Sequence, residues 1–320
     1  MVINKKILSI ILGMGIIVAL LYISDVKEII SVISKIHPIW IILAILVYNI
    51  NWFLRGYRWK IILDSMGHKI GLKESILLTI LGNFANLITP AKIGDFIRAF
   101  VLKRNNNVDI SKGLSSVIID RILDFFGVGI LAYISFTIIS KDIPLPEWVK
   151  MLIDNSIYIL IIGFIIIGII FRFRYPLLES IRPICKPKKI VILCCMSIIL
   201  WIFEISTMVI LFYSLNLDMN IPLIMSSIMV ANLTKALPLT PGGIGTYEGT
   251  VALMLTVGGL PYALSLTIGI LDHGIKNIYT VVFGTFALSY NGINIDNIIE
   301  SKTYEPKLWK SKIAEYKIIN

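Results

Sequence analysis

The chain has 320 residues, of which 57% are hydrophobic and only 16% charged, and its mean hydropathy is +0.85. Soluble domains carry about 25% charged residues, so a water-soluble globule is excluded, and these apolar runs do not alternate as barrel strands must. The net charge of +10 sits beside apolar segments, which is the pattern of cytoplasmic loops facing anionic lipid and not of a nucleic-acid interface.

A first span is expected over 7–24, after Asn4-Lys5-Lys6, as a retained membrane helix and not a removed signal peptide. The nearly neutral stretch 25–37 reads as a loop. The second span, 38–63, ends in Asn51-Trp-Phe-Leu-Arg-Gly-Tyr-Arg-Trp-Lys60, whose rings and cations suit a membrane interface. Residues 72–88 are apolar but carry Asn83 and Asn86, then meet Thr89-Pro90-Ala-Lys92-Ile-Gly94-Asp95. Proline removes a backbone donor and breaks a helix, so 72–104 reads as a hairpin that enters from the cytoplasm and returns.

The next span, 113–139, holds Asp120, Arg121 and Asp124, and a turn-rich external loop follows. The span 155–171 returns to the most basic loop of the chain, and 190–213 goes out again with Glu204 near its middle. A second broken segment covers 221–257. Asn232 and Lys235 precede its break, Leu237-Pro238-Leu-Thr240-Pro241-Gly242-Gly243-Ile-Gly245, and Glu248 follows it. The last span, 262–289, carries Asp272, His273 and Lys276. The layout is all-α: roughly six full spans plus two re-entrant hairpins, as one membrane domain over 1–290 with a cytoplasmic tail over 291–320. Both termini fall on the cytoplasmic side by the bias of Lys and Arg.

Aligned on the proline, the two breaks share Thr-Pro-x-x-Ile-Gly, with Phe96 and Tyr247 in equivalent places. Three full spans lie between them, so the hairpins enter from opposite faces. Similar broken segments in opposed orientation are the mark of an inverted repeat and point to a transporter's binding site. Thr89, Pro90, Gly94, Pro238, Thr240, Pro241, Gly242, Gly243 and Gly245 are the candidate hinges. Each new helix start presents unpaired backbone N–H groups and a positive dipole end, which favours an anion.

Intramembrane charges face the protein interior or a water-filled cavity. Lys92, Asp95, Arg98, Asp120, Arg121 and Asp124 form one candidate set: either Arg121 meets a phosphate while Asp120 and Asp124 hold it in position, or the set makes a structural ion pair with Lys92 or Arg98; Asn83 and Asn86 lie alongside. Glu204 needs a buried partner, such as Lys235, or a proton. Asp272 and Lys276 are one helical turn apart and read as an ion pair, while His273 is able to titrate near neutral pH. Arg55 and Arg58 are candidates either for lipid phosphate or for ordinary anchoring. Cys185, Cys194 and Cys195 suit neither a zinc site nor a disulfide. No hydrolase, Walker or metalloprotease motif is present, so no enzyme activity, metal or cofactor is expected.

Asn51-Trp-x-Leu-Arg-x-x-Arg-Trp59, Pro90-Ala-Lys-Ile-Gly-Asp-x-x-Arg98, Asp120-Arg-x-x-Asp124 and Pro241-Gly-Gly-Ile-Gly-x-x-Glu248 together resemble the flippase-like membrane family named after the transmembrane region of lysylphosphatidylglycerol synthase. The resemblance spans about 5–290. It implies a membrane domain that moves an anionic lipid or lipid-linked saccharide headgroup between leaflets, without lysyl transfer. It also implies a possible glycosyltransferase or synthase partner. Near His273 the family more often carries an arginine. A proton-coupled carrier of a small solute, using Glu204 or Glu248, and a non-transporting partner subunit are the rival readings.

Overall fold

The computed structural model describes residues 14–22, 26–89, 93–141, 147, 151, 155, 184, 186–237 and 239–293. Among these residues the chain is helical, with no strand. The expected span 155–171 from residue 156 on, Pro90, Lys92, Pro238, Cys185 and most of the tail lie outside the described residues. Residues 14–22 are helical, within the expected first span.

The elements are α1 (Val26–Ser34), α2 (Pro38–Ser65), α3 (Leu72–Ile88), α4 (Gly94–Asn106), α5 (Ile110–Ile139), α6 (Pro187–Ser214), α7 (Ile221–Ala236), a short 3-10 turn (Pro241–Gly243), α8 (Thr246–Val257) and α9 (Tyr262–Tyr290). Of these, α2, α5 and α6 are long and apolar enough to cross a membrane. α9 is as long, 29 residues, but carries Asp272, His273, Lys276 and Asn277 along its middle. α1 corrects the expected loop over 25–37: Ile29 and Val32 of its apolar stripe are buried, and Ile29 joins Ala252 of α8 and Leu266 of α9 in one cluster. A two-residue stripe on nine residues is too short to stand out within an already apolar sequence.

The order long helix, helix pair, long helix occurs twice, as α2–α5 and α6–α9. Each helix pair folds back on itself. In the first, Gly82 and Gly94 cross so closely that a Cβ on Gly94 would lie 1.8 Å from the Gly82 carbonyl oxygen, and further along Thr79 meets Arg98. In the second, the hydroxyls of Thr234 and Thr250 are 3.1 Å apart, and a Cβ on Gly258 would meet Leu223. α2 packs on α6 at the centre; α3 packs on α9 and α7 on α5. Each pair thus leans its first limb on the closing helix of the other half. The apolar core follows suit: one cluster joins α2–α5 to the end of α9, and the other joins α6–α9 to the second half of α5. Leu46, Ile50 and Phe53 are among the large apolar side chains left exposed, as the lipid-facing side of a membrane helix requires.

Both breaks form where a threonine precedes proline. Ring crowding pushes such a residue out of the helical region, and Thr89 (φ −117°, ψ 138°) and Thr240 (φ −130°, ψ 151°) are extended accordingly. In the second break Gly242, Gly243 and Gly245 take φ of 62°, 79° and 84°, a region closed to β-branched residues. Gly94 serves differently, since its need is the close approach to Gly82 and not a left-handed backbone.

Candidate functional site

The stretch expected at the membrane interface lies in the core. Asn51, Trp52, Arg58 and Trp59 are at most 4% exposed, while Phe53 and Tyr57 face outward. Positions 51, 52, 55, 58 and 59 recur at helical spacing and make one inward stripe of α2: Asn51, Arg55, Arg58 and Trp59 meet α5 and α6, and Trp52 stacks on Tyr279 of α9. Arg58 Nη2 lies 2.8 Å from Asp120 Oδ1 and 2.7 Å from Asp124 Oδ1, and Nη1 donates to the Ser197 hydroxyl. Arg98 Nη1 reaches Asp120 Oδ2 at 3.1 Å, and the guanidinium stacks over the Trp59 ring at 4.2 Å. Asp120 is therefore held by Arg58 and Arg98, not by its neighbour Arg121.

Arg121 turns the other way. It makes a two-pronged pair with Asp95 at 2.6 and 3.0 Å and a single contact with Asp124 at 3.2 Å. Its side chain keeps 37% exposure, the most open of the buried set's cations. Arg55 bridges the halves: Nη1 is 3.3 Å from Asp124, and Nη2 is 3.5 Å from Glu204 on α6. Glu204 finds its close partners in Asn51 (2.6 Å), Lys276 (3.1 Å) and Arg55, where Lys235 was expected. The reason is that Lys276 and Asn51 sit on the helices packed beside it. Lys235 stands instead over the Tyr247 ring, 5.8 Å away. The expected pair Asp272–Lys276 is present at 2.9 Å.

The second half repeats this network with other residue types. On the opening helices, Arg55 and Arg58 answer to Glu204 and Thr207; on the closing helices, Asp120, Arg121 and Asp124 answer to Asp272, His273 and Lys276. Arg55–Asp124 becomes Glu204–Lys276, with the signs reversed, and Arg58–Asp120 becomes Thr207–Asp272, at 2.6 Å. Arg121–Asp95 becomes His273–Glu248, at 2.8 Å from Nδ1 to Oε1.

A cavity of about 170 Å³ opens between the halves. Four cations (Arg55, Arg98, Arg121, Lys235) and three carboxylates (Asp120, Asp124, Glu204) line it, with Asn83, Asn86, Asn232 and Asn277. Both breaks reach it, through Thr89 on one side and Thr240, Gly242 and Gly243 on the other. They also touch: a Cβ on Gly242 would lie 2.3 Å from a Leu87 methyl. Arg58, Asp95, Gly94, Pro241, Gly245, Glu248 and His273 do not line the cavity; they stand behind it and hold what does.

The helix starts are less open than expected. The Gly94 amide donates to Asn86 Oδ1 at 2.8 Å, and the Gly245 amide to Glu248 Oε2 at 2.7 Å. These amides are capped from within, so an anion in the cavity would be met by side-chain cations. Residues that sequence reasoning missed are Trp59, Trp201, Ser197 and Thr207. Trp201 lies under the Arg55 guanidinium at 5.1 Å, and its only signal was its place one turn before Glu204 on the same span. Among the described residues no cluster of His, Cys, Asp and Glu is arranged to hold a metal.

The fold and site define a polytopic helical membrane protein with two broken helix pairs around a charged internal cavity. The chain belongs to the family described as the lysylphosphatidylglycerol synthase TM region, which it matches over residues 7–284. It is similar to glycosyltransferase AglD of Haloferax volcanii, 23% identical across 86% of this chain and 53% of that protein, so it spans about half that relative's length. It is also similar to a UPF0104 membrane protein of Methanothermobacter thermautotrophicus, 22% identical over 93% of this chain and 99% of the relative. A third relative, a UPF0104 membrane protein of Methanocaldococcus jannaschii, is 30% identical over 63% of this chain and 91% of its own length.

Proposed function

We propose that this protein moves an anionic lipid, or a lipid-linked saccharide, between leaflets, with the headgroup passing through the cavity between the two broken helix pairs. The single observation that carries this reading is the cavity's lining: four cations against three carboxylates, with asparagine amides between them. Arginine carries five N–H donors in a fixed fork, and Arg121 commits three of them to Asp95 and Asp124. The remaining donors and the Arg55 and Lys235 side chains suit a phosphate oxygen. Size supports a headgroup and not a whole lipid. A cavity of about 150 Å³ holds a guest as large as benzene, so 170 Å³ takes a phosphate together with part of the group it carries, while the lipid chains stay in the bilayer.

The two breaks act as opposed gates in this reading, inserted from opposite membrane faces as an inverted repeat. The reciprocal packing of α3 on α9 and α7 on α5 supports that arrangement, as does the matching charge network. The protein works in the cell membrane as one membrane domain over 1–290, with both termini cytoplasmic and the tail from 291 on that side. It performs no group transfer itself. The glycosyltransferase relative favours a lipid-linked saccharide among the cargoes, and a membrane glycosyltransferase or synthase as a companion.

The test is movement of headgroup-labelled phosphatidylglycerol, and separately of a polyprenyl-phosphate sugar, across proteoliposomes. Wild type is expected to speed movement of at least one of them. Arg121→Leu is expected to abolish it in folded protein. A wild-type protein that moves neither overturns the proposal.

A further inference from the structure

The second half keeps the architecture of the first but not its chemistry. Where the first half pairs Arg121 with Asp95, the second pairs His273 with Glu248. A guanidinium is always charged, whereas an imidazole changes charge near neutrality. We infer that His273, held against Glu248, is a proton-binding site coupled to the second break, so that lipid movement is driven by, or drives, a proton. This rests on the lipid-moving reading above.

Glu248 links two moving parts. Its Oε2 accepts from the Gly245 amide at 2.7 Å, closing the first turn of α8 onto a break whose glycines at 242, 243 and 245 all have positive φ. Its Oε1 lies 2.8 Å from His273 Nδ1 on α9. A carboxylate accepts only, so Nδ1 carries the hydrogen and Nε2 is the basic atom. His273 is fully buried, and its Nε2 has no hydrogen-bond partner among the described residues. Uptake of one proton from water forms an Nε2–H bond and leaves every other bond intact. The ring then has a second donor and no acceptor for it in this packing. Proton uptake is favoured only when α9 and the break shift so that Nε2 gains an acceptor, and that shift pulls on Gly245 through Glu248.

The surroundings set the charge this proton meets. α8 contributes Glu248 and Tyr247, whose ring stacks on His273 at 4.4 Å and whose hydroxyl donates to Asp272 Oδ2. α9 contributes Asp272 and Lys276, already paired, and α7 contributes Lys235 beyond the Tyr247 ring. α6 contributes Glu204, which binds Lys276, and α2 contributes Arg55 and Tyr48 on the far side of those two. α3 meets α9 at Thr280 and Gly284 and sets Lys73 over the Tyr290 ring at the far end of that helix, and α1 meets α9 in the Leu266 cluster. Lys276 answers both Glu204 and Asp272, and the partner of Glu248 is His273 itself. The His273–Glu248 pair is thus the ion pair of this cluster whose cationic member is an imidazole.

Two measurements on the full chain test this. Histidine occurs at positions 37, 68 and 273, so isotope-labelled histidine gives three magnetic-resonance signals, with His273 assigned by its loss in His273→Gln. From about pH 5 to about pH 8, the expected result is a reversible Nε2 titration with Nδ1–H retained. In phosphatidylglycerol vesicles, the rate of headgroup-labelled lipid movement is compared with and without an imposed pH gradient, each protein serving as its own reference. Wild type is expected to respond to the gradient, and His273→Gln and His273→Arg to lose that response. A His273 locked in one protonation state overturns the site. Lipid movement in wild type that ignores the gradient, or a response that survives both substitutions, overturns the coupling. Wild-type protein whose His273 titrates but which moves no lipid supports the proton site and overturns the lipid cargo instead.

Discussion

At the scale of residues, the buried charges divide by what removal would strand. Arg58 is fully buried between Asp120 and Asp124, so Arg58→Leu leaves two carboxylates short of a cation at a cost of about 3–5 kcal/mol. Arg121→Leu takes the two-pronged partner from Asp95, but that carboxylate is 22% exposed, Asp124 keeps Arg58 and Arg55, and the Arg121 side chain is itself partly open. Thermal unfolding in detergent is expected to show a clear loss for the first variant and a smaller one for the second. Equal losses would mean that Arg121 is a structural cation and not a cavity group. The glycines divide in the same way. Gly94→Ala puts a methyl 1.8 Å from the Gly82 carbonyl oxygen, and overpacking of that kind costs about 1–3 kcal/mol. Gly274→Ala on α9 meets nothing within 4 Å and is expected to be neutral or slightly stabilising in a helix. Gly243→Val and Gly245→Val force a β-branched residue to φ near 80°, and are expected to abolish lipid movement. Movement at the wild-type rate through either would reduce the break to a packing device.

At the scale of elements, the helix pairs are the parts whose orientation matters. Asp109 and Asp218 are exposed residues at the open ends of the first and second pair, just before α5 and α7. In a background without Cys185, Cys194 and Cys195, Asp109→Cys is expected to react with an impermeant thiol reagent from the cytoplasm and Asp218→Cys from outside. Reaction of both from one side would remove the opposed-gate arrangement. The elements themselves were readable because proline, glycine and long apolar runs act locally: α2, α5, α6 and α9 and both breaks fall within a few residues of their expected bounds. The partners were not readable, because an apolar sequence gives no periodicity to say which face of a helix is inward. Thus Trp52, Arg58 and Trp59 read as interfacial although they are core, and of the two cations that hold Asp120 only Arg98 was among its expected partners, not Arg58.

At the scale of the whole molecule, the halves join through α2 and α6, and Arg55 stands between a carboxylate of each half. It lies 3.3 Å from Asp124 of the first half and 3.5 Å from Glu204 of the second. Asp124→Asn leaves Arg55 with Glu204, and Glu204→Gln leaves it with Asp124. The double variant leaves a nearly buried guanidinium with neither carboxylate. Groups that share a partner are not additive, with interaction energies of about 0.5–3 kcal/mol. The two single losses in unfolding free energy are therefore expected to sum to less than the loss in the double. Adding Arg55→Gln to the double is expected to recover part of the difference, since it removes the stranded charge itself. Lys276 also loses Glu204 but keeps Asp272 at 2.9 Å, so its share of the penalty is the smaller one. Strict additivity, with no recovery on removing Arg55, would show that the halves pack as independent bodies. The cavity between them would then be a gap between two rigid units and not a site that both hold in register.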